Sequence, residues 1–83
     1  MAEAWGLFAC NARAEEANSA VCAVIDDRNM PADERRQRMV AIIWKAIAVQ
    51  GELLEQADRT GNAEAARWAR HNIEGFERYL KIL

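Results

Sequence analysis

The stretch Met39-Val-Ala-Ile-Ile-Trp-Lys-Ala-Ile-Ala-Val49 constrains this chain more than any other feature. Ten of its eleven residues are apolar. With Ile43 at zero and about 100° per residue, Val49 falls near about −120° and Trp44 near about +100°. The apolar arc is then about 220° wide, roughly twice the stripe a surface helix needs. Such a helix must be covered on both sides. A chain of 83 residues has few elements with which to do that. The surplus points to a second chain: a copy of itself, another protein, or both.

That length makes one domain at most, near the size where oligomerisation often completes a core. Hydrophobic residues at 52% and charged ones at 29% describe a globular protein, not a disordered tail. A net charge of −2 exerts no global pull towards nucleic acid or an anionic membrane. Glu3 and the lack of a basic n-region argue against a signal peptide. The apolar run ends at Gln50, Gly51 and Glu52, short of the roughly 20 residues that span a bilayer. A cytoplasmic protein is expected.

The two cysteines fit that compartment. Cys10 and Cys22 are twelve residues apart on one expected helix, about 18 Å along its axis, too far for an intrachain disulfide. With a single histidine in the chain, three or four convergent zinc ligands are lacking. Cys10 reads as a small buried hydrophobe; Cys22 could be exposed, with an interchain bond through it as the minor alternative. No metal or cofactor is expected.

Helix signals cover almost everything, and an all-α, three-helix antiparallel bundle with a long central helix follows, completed by dimerisation. The first helix is expected over 2–27, with Leu7, Cys10, Ala14, Ala17, Val21 and Val24 spaced as a narrow bundle seam. Trp5 and Phe8 add bulk at its start, and Gly6 predicts fraying up to Leu7. The second helix is expected over 31–59. Pro31 stands at its first position, Asp33 and Glu34 favour its dipole, and Asn29 assists from just outside. It carries two adjacent seams, Met39-Ile42-Ala46-Val49-Leu53 and Val40-Ile43-Ile47-Gln50-Leu54-Ala57. Thr60-Gly61-Asn62 is the second break, a C′ glycine followed by an asparagine N-cap. The third helix, over 63–82, carries Ala69-Ile73-Phe76-Leu80-Leu83 as its seam, with Trp68 and Tyr79 on its flank. Short turns make consecutive helices antiparallel neighbours.

Signals for catalysis are weak, and a non-enzyme is expected. Ser19 and Thr60 have no histidine near in sequence, and no glycine-rich phosphate loop is present. The arginines Arg35, Arg36 and Arg38, with Arg67, Arg70, Arg78 and Lys81, could form a basic patch. However, Glu34–Arg38, Glu55–Arg59, Glu74–Arg78 and Glu77–Lys81 are i,i+4 pairs that compensate one another on solvated faces. Partner-binding residues are sought at the margins of the apolar arc and on the aromatic flank: Ile42, Trp44, Val49, Trp68 and Tyr79, because aromatic anchors are over-represented in interfaces.

Two resemblances carry functional expectations. His71-Asn72-Ile73-Glu74-Gly75 resembles the His-x-Leu-Lys-Gly signature of histidine phosphotransfer domains. The glycine leaves room beside the imidazole, and Glu74 departs from the pattern where a lysine would balance phosphoryl charge. In size, helical make-up and apolar surplus the whole chain is similar to small bacterial antiactivators of quorum-sensing transcription factors. That resemblance implies a non-enzymatic homodimer that occupies a regulator's dimerisation surface. Phosphotransfer through His71 and a DNA-associated helical protein are the alternatives.

Overall fold

The computed structural model describes the backbone over residues 2–83 and side chains over 9–83. Helix α1 spans Ala2–Asp26, α2 spans Ala32–Thr60 and α3 spans Ala63–Ile82. All three pack against one another, in a body whose Cα extents are 45 × 21 × 14 Å. Helix α1 is continuous from Ala2 through Gly6, where fraying up to Leu7 was expected. The side chains of Trp5, Leu7 and Phe8 lie outside the described residues.

The core of α2 is neither of the two seams but the strip between them. Met39, Ile43, Ala46, Gln50 and Ala57 are its buried residues, drawn from both rows. Ile42 and Val49 on one side, and Val40 and Ile47 on the other, are half-buried. Val21 of α1 and Phe76 of α3 complete the main cluster with Met39, Ile43 and Ala46. A second cluster, Ala57 with Ala65 and Ala66, closes the α2–α3 end. Its side chains are all small, and neither Ala65 nor Ala66 belongs to the α3 seam Ala69-Ile73-Phe76-Leu80-Leu83.

The two turns are built differently. At the second, Gly61 adopts φ 71°, ψ 22°, a left-handed conformation that glycine reaches without Cβ strain. Asn62 then accepts a hydrogen bond from Ala65 N at 3.1 Å and caps α3 as expected. The first turn differs from expectation. Pro31 sits one residue before the helix with ψ 148°, and its carbonyl receives Arg35 N at 2.9 Å. Asn29 does not cap α2. Its N–H is held by Asp27 Oδ1 at 3.1 Å, an Asx turn. Arg35 of α2 reaches back to donate to the carbonyls of Asp27 and Met30 at 2.8 and 3.2 Å. Helix α1 has no basic residue in its last turn, so the next helix supplies the cation its carbonyl end favours.

Candidate partner-binding surface

The bundle centre is pinned by polar groups, and these decide how α1 sits. Gln50 is 1% exposed. Its Nε2 donates to the carbonyl of Cys10 in α1 at 2.8 Å, and its Oε1 accepts from Asn72 Nδ2 in α3 at 3.3 Å. The Cys10 thiol donates to the Ala65 carbonyl at 3.7 Å. Three helices thus meet in one satisfied network, and a buried amide leaves few alternatives for their register. Burial pushes the Cys10 thiol up from its ordinary value, opposed by its backbone hydrogen bond. Both cysteines are free, Cys10 buried and Cys22 exposed.

Among the described residues, two open grooves flank α1. The larger, about 430 Å³, lies between α1 and α3, with Val21, Ile25, Phe76 and Tyr79 as apolar walls and Asn18 and His71 among its polar lining. Asn72, half-buried, links this groove to the Gln50 network. Gly75 also lines it, and a Cβ built there meets nothing within 4 Å. The smaller groove, about 240 Å³, lies between α1 and α2 over Ala17, Ala20, Ile42, Ala46 and Val49. Its charged rim is the Arg13–Glu16 pair, at 2.6 Å, and Lys45.

The five residues singled out from the sequence occupy different edges. Ile42 and Val49 come together in the α1–α2 groove, and Tyr79 lines the α1–α3 groove. Trp68 meets the His71 ring edge-on, centroids 5.5 Å apart at 86°, and borders a shallow depression with Arg67. Trp44 is 59% exposed and, five residues from Val49, stands about 140° away from it around α2. Trp68 and Tyr79 share a flank but are eleven residues apart, about 16 Å along the axis. No single patch contains all five.

The charged faces pair only partly as the spacing predicts. Glu34–Arg38 forms at 2.9 Å. Among the described residues the other ion pairs are Arg13–Glu16, Glu64–Arg67 and, between α2 and α3, Asp58–Arg70, not Glu55–Arg59, Glu74–Arg78 or Glu77–Lys81. Each is exposed and contributes little to stability. No described helix is long and apolar enough to cross a membrane. Compared with known protein families, with curated proteins and with solved structures, the chain finds no match.

Proposed function

We propose that this chain is a non-enzymatic, cytoplasmic protein-binding regulator, an inhibitor or antiactivator that occupies a partner's interaction surface. The observation that carries the reading is the α1–α3 groove. It is apolar at its sides and edged by amides and an imidazole. An amphipathic helix laid into such a groove is held by apolar anchors at i, i+3, i+4 and i+7, with polar groups fixing its orientation. A transcription factor that dimerises through an amphipathic helix has a segment of this kind. Capturing it removes the dimer, and with it DNA binding. The resemblance to antiactivators of quorum-sensing regulators in size, helical make-up and apolar surplus is the ground for that choice of partner.

Gly75 provides a clean test, because its open surroundings admit a side chain without disturbing the bundle. Immobilised protein incubated with extract of the native cell should retain a regulator that Gly75→Leu and Tyr79→Ala lose, while both variants keep wild-type helicity. Retention at unchanged strength by both variants overturns the groove as the site. Phosphotransfer is separated by a labelled phosphodonor: the regulator reading expects no label that His71→Gln removes.

A further inference from the structure

Among the described residues nothing covers the outer face of α2 around Trp44, and its residues match a second copy of themselves. Trp44, 59% exposed, stands at one edge of this face, about 40° around the helix from Ala48. Ala41 and Ala48 are exposed on either side of it, one turn away in each direction. Gly51 is one turn further, and a Cβ built there meets nothing within 4 Å. On one flank Lys45 and Glu52 are both exposed, and neither pairs with any described residue. Seven residues separate them, about 10 Å along the axis, too far to pair within one helix.

We propose that α2 pairs with α2 of a second copy, antiparallel about a two-fold axis at Ala48. The spacing carries the proposal. Trp44 and Gly51 are seven residues apart, as are Lys45 and Glu52, and the midpoints of both pairs fall within one residue of Ala48. One axis therefore sets Trp44 over Gly51 of the partner subunit and Lys45 beside Glu52 of the partner subunit, each within about 1.5 Å of level along the helices. Knob and notch, cation and anion lie on the same patch, which is the self-complementarity a two-fold interface requires. A small residue at the axis lets the backbones approach.

Area agrees with this occupant. The protomer exposes 5901 Å², against about 5,000 Å² for a compact monomer of its mass. The excess, about 900 Å², accompanies an elongated body 45 Å long, and pairing along the long side would cover an area of that order. A standard interface takes about 800 Å² from each partner. The pairing stands independently of the regulator reading, since Trp44 lies outside both α1 grooves.

Sedimentation equilibrium of the full chain at micromolar concentrations is the test. The expected mass is twice the 9.4 kDa chain. Trp44→Glu is expected to weaken association by about tenfold or more, the loss typical of an aromatic anchor, with helicity unchanged. If Trp44→Glu fails to fold, Gly51→Val reads the same contact, because its side chain enters open space in the protomer and clashes only in the pair. Lys45→Glu and Glu52→Lys should each weaken the dimer, and the two together should restore it. A wild type that stays monomeric, or dimers of wild-type strength from both Trp44→Glu and Gly51→Val, overturns the proposal. So does a double charge reversal no stronger than either single one.

Discussion

Gln50 and Cys10 show how much one side chain decides in so small a core. The Gln50 amide spends both ends on other helices, and truncating it removes packing and strands buried polar groups at once. Gln50→Ala should cost about 2–4 kcal/mol in chemical denaturation, from the lost hydrogen bonds and the cavity together. The sequence displays Gln50 as the one polar member of the seam Val40-Ile43-Ile47-Gln50-Leu54-Ala57, which marks it as unusual. Its partners were not legible: one is a backbone carbonyl forty residues away, the other a side chain on α3. Cys10 gives a second expectation. Its folded thiol value is raised by burial, so its contribution to stability is full below the ordinary value of 9.0 and is lost as pH rises through the folded value. Melting temperature should therefore fall more steeply above pH 9 in wild type than in Cys10→Ala. In native protein at neutral pH, iodoacetamide should label the exposed Cys22 and spare Cys10, which mass spectrometry resolves; equal labelling of both would place Cys10 on the surface.

At the scale of elements, helix boundaries were readable because punctuation is local. Pro31, Gly61 and Asn62 act within one turn of where they stand, and the observed ends agree with expectation to within a residue. The core strip was read less well. Periodicity located the apolar arc of α2 but not which part of it each neighbour covers, because that depends on where α1 and α3 land. The small residues Ala57, Ala65 and Ala66 give almost no hydrophobic signal, yet they form a buried cluster between α2 and α3. Ile43, 2% exposed, lies in the middle of the strip, and Ile43→Ala should lose about 2–5 kcal/mol. For a domain of this size that is a large part of the total. Ile47 is only half-buried, so Ile47→Ala should cost less, and the order of the two in a urea melt checks the strip's position. At the second turn, Asn62→Ala removes a buried cap and should cost about 1–2 kcal/mol. Gly61→Ala should cost about 1 kcal/mol through its left-handed backbone.

Across the whole molecule, the apolar surplus of α2 divides into surfaces that face different ways. The α1–α2 groove with Ile42 and Val49 and the outer face with Trp44 are about 140° apart on one helix, and the α1–α3 groove with Tyr79 belongs to neither. Sequence position could not separate them, since a helical wheel shows that residues are marginal but not which margin a neighbour closes. The division predicts that self-pairing and partner capture respond to different substitutions. Gly75→Leu and Tyr79→Ala should leave the dimer mass unchanged while partner retention falls; Trp44→Glu should do the reverse. Pairing also makes stability depend on concentration. If folded dimers exchange with unfolded monomers, a tenfold increase in protein should raise the melting temperature by about 4 °C for a chain of this length. Trp44→Glu should reduce that dependence, most at low concentration where its weaker dimer has dissociated, while still melting cooperatively, because the core around Ile43 and Gln50 lies inside one protomer. A wild-type melting temperature that does not move with concentration, read beside a monomer mass by sedimentation, would overturn the self-pairing of α2.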